Sequence, residues 1–599
     1  MMTRIHAAWL ILSCLFFASA SVGLAQSSVS VVEADGTYRL LKDGTPYPVR
    51  GVGGQDSLAL LSAAGGNSIR TWSTDDLDVL LDAAHANGLT VCVGLWLGHE
   101  RHGFDYQNDQ AVSRQLEDCL KAVRQHKDHP AVLIWGIGNE MEGEGTNPAV
   151  WYAVDHIARE IKKIDSHHPT MTVIAELGED EIKLRNIERF CPNIDVVGVN
   201  SYGGIASLAT RYRQADIKKP YIVTEHGPLG PWEVESTSWG SPIEATSTAK
   251  AERYANGYLQ TASAQPNRCL GSYAFLWGHK QETTATWFGM LLPDGTRLAA
   301  VDAMSKVWTG SEPKNRCPRI ESLRADKTAK LKPGEVIKVV LDAKDPEGDS
   351  LRIAWLLRQD SVRIGTGGDF EQEEAMFADA VTTSGMEATV TIPDAGGPFR
   401  LFAYVKDNHG GGAVANLPLF VDAPIKPIPA PKPTLPLVIY DDGFAPSYAP
   451  SGFMGNTNAI QMTPNCEDRP HSGKHCLQVK YNATDQWGGV LWQSPPNDWT
   501  GMQPGGFDLT AASALEFHVR GESGNEIVSF IVGGIETENP YRDSAKAELK
   551  EVRLTTQWEK MRIPLKDLDP HRIKTGFGWS LAGQDKPLTF FLDEIRFVR

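Results

Sequence analysis

At 599 residues the chain is long enough for several domains, and its 41% hydrophobic and 22% charged content is that of soluble globular protein. A formal net charge of -16, with no cluster of Lys and Arg, excludes nucleic acid or another extended polyanion as its partner. Sixteen Trp and fifteen Tyr point weakly toward sugar binding, because aromatic rings stack on the apolar face of a pyranose, although most of them are expected in the core.

Arg4 and His6 precede an apolar run from Ala7 to Leu15, continued by Phe16-Phe17 and then by small residues up to Gly23-Leu24-Ala25. This is the pattern of a cleaved signal peptide over residues 1–25. The run is shorter than the roughly 20 residues that span a bilayer. The expectation is a secreted or periplasmic protein with no membrane span after cleavage; a retained N-terminal anchor is the alternative. Of eight Cys, Cys14 leaves with the signal and seven remain, so at least one is unpaired or intermolecular. Cys466 and Cys476 flank a short polar loop and are a candidate disulfide. Cys92 and Cys269 sit in apolar strands and read as buried thiols. No C-x-x-C spacing exists, which leaves a zinc site with little support.

Residues 30–311 alternate apolar strands with amphipathic helices. Strands are expected at 49–54, 67–72, 89–97, 131–140, 170–177, 194–202, 221–226 and 270–277. The helices between and after them are expected at 57–64, 77–86, 111–125, 148–164, 179–189, 206–213, 249–264 and 299–308. Eight such units are the count of a (β/α)8 barrel. A doubly wound open sheet is the alternative, but Gly51-Val52-Gly53-Gly54 is a poor phosphate turn. Residues 318–423 change to short alternating strands separated by acidic turns, the spacing of an immunoglobulin-like β-sandwich. A proline-rich spacer follows at 424–436. A second all-β module runs from 437 to 599.

In a (β/α)8 barrel the chemistry lies at the C-terminal ends of the strands. Those ends carry Arg70 and Trp72, Trp96 and His99, Asn139-Glu140, Glu176, Asn200 and Tyr202, Glu225-His226, and Trp277. Two carboxylates thus end the fourth and seventh strands. Glycoside hydrolysis needs such a pair, one to give a proton to the leaving oxygen and one to attack the anomeric carbon. Glu140 suits the acid/base role and Glu225 the nucleophile. Arg70 and Tyr202 are expected to hold Glu225, Asn139 to bond the sugar 2-hydroxyl, and Trp277 to form the floor under the ring. Trp96, His99 and Trp232 are further substrate-binding candidates; Trp232 and Trp239 either line an outer subsite or pack their loop. Glu176 and His226 read equally as ordinary rim residues, and Glu142 and Glu144 as a solvated loop.

On Arg70, Gly138-Asn139-Glu140, Asn200-Ser201-Tyr202, Thr224-Glu225-His226-Gly227 and Trp277, the region 50–311 resembles the large clan of retaining glycosidases on (β/α)8 barrels. The barrel is most similar to the β-galactosidase/β-glucuronidase group. The resemblance implies a retaining β-glycoside hydrolase that needs no cofactor for catalysis and acts on a polysaccharide or oligosaccharide. The 318–423 module resembles immunoglobulin-like or cadherin-like spacers, some of which bind calcium; acidic turns without metal are the alternative. Through Ile439-Tyr440-Asp441-Asp442 and Phe591-Leu592-Asp593-Glu594, residues 437–599 resemble jelly-roll carbohydrate-binding modules. That likeness implies a structural calcium held by Asp441 and Asp593, and stacking roles among Trp487, Trp492 and Trp499. Two other readings stay open: a transglycosylase using the same site, and a non-catalytic glycan-binding surface protein.

Overall fold

The structure, a computed structural model, describes residues 27–102, 104–360, 367, 371, 374–427 and 429–599. The signal peptide expected over residues 1–25 lies outside the described residues. Eight parallel strands close into a barrel: β1 (Val49–Gly53), β2 (Ser68–Arg70), β3 (Thr90–Leu95), β4 (Val132–Asn139), β5 (Thr170–Ala175), β6 (Val196–Asn200), β7 (Tyr221–His226) and β8 (Cys269–Phe275). Each strand pairs with its sequence neighbours, and β8 closes on β1 from Gly271 opposite Val49 to Phe275 opposite Gly53. The strands are buried on both faces, as parallel strands covered by helices must be.

The helices follow from their apolar stripes. Pro148–Ile164 starts with Pro at its first turn and with the Asn147 side chain accepting from Ala149 N at 3.0 Å. It buries Val150, Trp151, Val154, Ile157 and Ile161 against the strands, each adding about 1.5–3 kcal/mol on transfer from water. The helix expected at 249–264 is Ser247–Tyr258 continued by a π-turn over Leu259–Ser263. A small antiparallel sheet (Val29–Ala34, Thr37–Lys42, Thr45–Pro46), absent from the sequence expectations, covers the N-terminal end of the barrel. Val29 N donates to His167 O at 2.7 Å and Tyr38 N to Asn267 O at 2.8 Å, both just ahead of barrel strands. Val29 and Leu40 pack with Val49, Ile134, Met171, Ile222 and Tyr273 into the lower core. Tyr273 fills the barrel so closely that a Cβ on Gly51 would lie 2.3 Å from its ring.

Two four-stranded sheets form the sandwich. One carries Arg319–Ala325, Val336–Lys344, Glu387–Thr391 and Val381–Ser384; the other Arg352–Gln359, Gly397–Lys406 and Gly411–Val421. The last strand of the second sheet also pairs with Arg297–Leu298, so a piece of chain ahead of the final barrel helix is built into it. The acidic turns cap themselves: Asp345 accepts from Glu347 N and Asp349 N, and Asp407 from His409 N and Gly411 N. Residues 437–599 form a six-stranded sheet facing a five-stranded one over a core that includes Trp492, Phe517, Phe577 and Trp579. Cys466 and Cys476 are register partners across an antiparallel pair but carry free thiols; Cys476 Sγ is turned to the carbonyl of Cys466 at 3.4 Å. No helix among the described residues is long and apolar enough to cross a membrane.

Barrel and sandwich share a buried polar knot. Lys250 forms an ion pair with Glu244 and donates to the carbonyls of Thr286 and Trp287, both at 2.8 Å. Glu244 also accepts from Thr284 Oγ1 at 2.6 Å and from Asn416 Nδ2 of the sandwich at 2.5 Å. A buried charge stripped of its partner is costly. Lys250→Met is therefore expected to destabilise the barrel by roughly 3–5 kcal/mol, read as a lowered denaturant midpoint; a midpoint within error of wild type would show that Asn416 and the threonines suffice to hold Glu244.

Candidate active site

β4 does not simply stop at its acid. Gly138 has φ +73°, where a Cβ would come within 2.3 Å of Met141 Sδ. Glycine is required there, and the turn breaks the β4–β5 register between Ile137 and Asn139. Glu140 follows with φ +52°, a left-handed conformation that costs a non-glycine residue about 1–3 kcal/mol. Its N–H is held by Val173 O at 3.0 Å. The two left-handed residues swing the Glu140 carboxylate over the barrel mouth. β7 also breaks register near its acid, between Val223 and Glu225 toward β6 and between Val223 and His226 toward β8; Glu225 points inward and His226 outward against the helix layer, with His226 Nε2 3.1 Å from Ser272 Oγ. His226 is wholly buried and burial pushes its pKa down to about 3, so it is a neutral wall residue and not part of the rim.

Glu225 is 6% exposed and receives three donors. Arg70 Nη1 bonds Oε1 at 2.7 Å, Trp72 Nε1 bonds the same oxygen at 3.0 Å, and Tyr202 Oη bonds Oε2 at 2.8 Å. Arg70 is itself buried and its other nitrogen donates to Asn139 Oδ1 at 2.6 Å. Burial, the neighbouring Glu225 charge and the bond to it hold the Tyr202 phenol protonated well above its usual range. Asn200 completes the chain: its Nδ2 donates to Glu140 Oε1 at 2.7 Å and to Asn139 Oδ1 at 3.2 Å, while its Oδ1 accepts from Thr224 Oγ1 at 2.7 Å. One connected network thus runs Glu140, Asn200, Asn139, Arg70, Glu225.

The two carboxylates differ in their surroundings. Glu140 has a single neutral amide donor, and burial first, then the Glu225 charge, push its pKa up to about 7. Glu142, expected in a solvated loop, is 2% exposed and buried beneath the site. It pairs with Lys183 at 2.8 Å and accepts from Ala175 N at 3.1 Å, tying the chain beyond β4 to the end of β5. The expectation failed because the pairing partner lies on a later helix. Glu144 is exposed. Glu176 is held by Ser201 and by Arg211 at 2.8 Å.

The aromatic candidates separate. Trp277 is 1% exposed and its indole N–H is spent on the Asp56 carbonyl, so the expected sugar floor is core packing. Trp96 and Trp232 are 47% and 50% exposed. His99 is buried and stacks behind Trp96 with centroids 4.8 Å apart, a prop rather than a surface group. Trp232 stands edge-on to Tyr202 at 6.1 Å, next to the nucleophile candidate's ligand. Trp239 packs on Phe420 of the sandwich. Trp72 and Asn200, absent from the expected substrate-contacting set, are central. Their signal was positional: each lies two residues from a selected residue, Arg70 or Tyr202, and so shares its side of the strand trace.

In the jelly roll, Trp492 is core, whereas Trp487 and Trp499 are exposed. The calcium candidates do not meet in a ligand cluster. Asp593 is fully buried and its oxygens accept from the backbone N–H groups of His471, Ser472 and Glu594, while Asp441 lies at the surface.

Residues 78–258 match the family model of the glycosyl hydrolases family 2 TIM barrel domain, and residues 437–599 match carbohydrate binding domain 30. No curated protein sequence matches the chain. Among solved structures, a β-D-glucuronidase of Dictyoglomus thermophilum aligns at 17% identity and TM-score 0.38, over 47% of this chain and 54% of its own. β-Glucuronidase 2 of Bacteroides uniformis aligns at 14% identity and TM-score 0.38, over 95% of this chain and 67% of its own. A family 2 β-galacturonidase of Eisenbergiella tayi bound to galacturonate aligns at 16% identity and TM-score 0.39, over 48% and 54%. The chain spans about half the length of the first of these. The similarity to the family models is confined to part of the barrel and to the C-terminal module.

Because the Glu225 charge raises the Glu140 proton affinity, Glu225→Gln is expected to move the Glu140 titration below its value of about 7. Asn200→Ala, which removes the bond favouring the charged form, is expected to move it higher. Carboxyl 13C shifts of labelled glutamate across pH check both directions; movement of the wrong sign in either variant would mean that another group controls Glu140.

Proposed function

We propose that the chain is a secreted or periplasmic retaining glycoside hydrolase that cleaves a β-linked glycan by double displacement. The observation that carries this reading is the unequal treatment of the paired carboxylates. Glu225 faces a permanent cation and two further donors, all complementary to a carboxylate that must be negative when it attacks. Glu140, half-buried and with a single amide donor, keeps a proton to near neutral pH.

The chemistry follows in two steps. Glu140 donates its proton to the glycosidic oxygen as that bond breaks, and Glu225 forms a bond to the anomeric carbon. Negative charge on Glu225 is spent in the glycosyl-enzyme, which removes the charge that raised the Glu140 proton affinity. Glu140 is then the stronger acid, suited to act as an ionised base that takes a proton from the incoming water. Water attacks the anomeric carbon, Glu225 leaves as carboxylate, and the anomeric configuration is retained. Arg70, Trp72 and Tyr202 orient the nucleophile throughout. Trp96 and Trp232, exposed at the mouth, offer stacking faces for the sugar and for an adjoining unit. The carbohydrate binding domain, through Trp487 and Trp499, would hold the barrel near a polymer and raise the effective substrate concentration. An N-terminal apolar run followed by Gly23-Leu24-Ala25 supports export. A sugar in place of water at the second step would make the same site a transglycosylase.

On activated aryl β-glycosides, Glu225→Gln is expected to abolish turnover. Glu140→Gln is expected to retain a burst of aryl release, followed by slow turnover that azide accelerates. On unactivated glycosides, whose leaving oxygen needs a proton, the wild-type kcat/KM should fall as pH rises through about 7, where Glu140 loses the proton it must donate. Product of inverted configuration in a proton NMR time course, or substantial turnover by Glu225→Gln, would overturn the assignment.

A further inference from the structure

Away from the barrel mouth, three metal-ligating side chains converge on the outer face of the six-stranded sheet. His518 lies on Ala514–Gly521 and Glu594 on the adjacent strand Leu588–Val598; His471 comes from the loop between Ile460–Cys466 and Cys476–Tyr481. Nδ1 of His518 is 3.0 Å and Nδ1 of His471 3.1 Å from the same Oε2 of Glu594. The two imidazoles stack with centroids 3.6 Å apart and planes 12° apart. The three ligand atoms lie within 4.8 Å of one another.

The backbone is shaped to bring them there. The pairing of the two strands shifts between Glu516 and His518, and Glu594 stands at this irregularity with φ +48°. Such a bulge re-aims a side chain, and here it sets Glu594 beside His518. The loop bearing His471 is pinned from below, because the buried carboxylate of Asp593 accepts from His471 N at 2.8 Å and Ser472 N at 3.2 Å. Trp558 closes the flank, with its ring 6.0 Å from His471 and its indole N–H on Arg469 O at 2.8 Å. Arg596 and Lys560 are the neighbouring cations; Lys560 is held by Glu516 at 2.7 Å, and Arg596 lies 3.5 Å from the other Glu594 oxygen.

We propose that His471, His518 and Glu594 bind a divalent cation of the zinc class through the two Nδ1 atoms and Oε2. Two imidazoles and a carboxylate suit such a cation, whereas calcium takes six to eight oxygens. Zinc bonds of about 2.0–2.1 Å place tetrahedral ligands roughly 3.3 Å apart. The two histidine–glutamate edges are already close to that span, and one imidazole turns out of the stack so that both in-plane Nδ1 lone pairs meet on the ion. The fourth position faces solvent and takes water. The ion ties the 467–475 loop to the sheet. Its ligands come from three separated segments, which is why no spacing motif announces the site.

The full-length chain, stripped with a chelator and dialysed against micromolar ZnCl2, tests this by elemental analysis and thermal unfolding. Wild type should retain one more zinc ion per chain than His518→Ala, His471→Ala or the near-isosteric Glu594→Gln. Zinc should raise the unfolding midpoint of the C-terminal module in wild type and leave it unmoved in the variants. Wild type that holds no zinc, or the same zinc content in wild type and all three variants, would overturn the proposal.

Discussion

The buried contact between Arg70 and Glu225 is the constraint around which the barrel mouth is arranged. Two charges taken out of water lose hydration that their mutual attraction alone does not restore. The pair persists because further hydrogen bonds on both partners offset that loss. Arg70 donates to Asn139 and to the Thr224 carbonyl as well as to Glu225, and Glu225 accepts from Trp72 and Tyr202 too. Removing either charge leaves the other buried and unmatched, a loss of about 3–5 kcal/mol. β2 and β7 are not neighbours in the barrel, so the contact crosses its interior and exists only once β8 has paired with β1. The site is therefore held together by the closed barrel and not by any one pair of neighbouring strands.

That geometry separates the two carboxylates into different roles. Donors are concentrated on Glu225, and Glu140 is left with Asn200. In a low-dielectric mouth, burial and the charge of the neighbouring carboxylate favour the protonated form of Glu140. The backbone at Glu140 is in a left-handed conformation outside the usual range for glutamate, held by Gly138 on one side and by the Val173 carbonyl on the other. Buried Glu142 and Lys183 stiffen the same corner. The strain is local, and it stands where an acid must be presented at a fixed angle.

The barrel was legible because its strands are continuous apolar runs and its helices carry apolar stripes at the helical period, both readable without knowledge of contacts. Glu140 and Glu225 stood out for the same reason, as acids that end such runs. What stayed hidden depends on partners far along the chain. Glu142 looks like one of several loop acids until Lys183 folds beneath it. Trp277 occupies a strand end like the others, but the chain near Asp56 covers its face and takes its N–H. Asp593, read as a calcium ligand, is consumed by backbone N–H groups of a loop whose path has no local signature. The N-terminal sheet was missed because its strands are short and half exposed, with alternation too weak to read.

In the proposed reading the barrel carries the chemistry, the sandwich connects and the jelly roll binds glycan, and that reading turns on which side chain attacks the sugar. The most direct measurement is covalent trapping with 2-deoxy-2-fluoro β-glycosyl fluorides, followed by mass spectrometry of the digested protein. The account predicts a stable adduct on the peptide containing Glu225, with labelling lost in Glu225→Gln. An adduct on Glu140 or on another strand-end acid, such as Glu176, would contradict it.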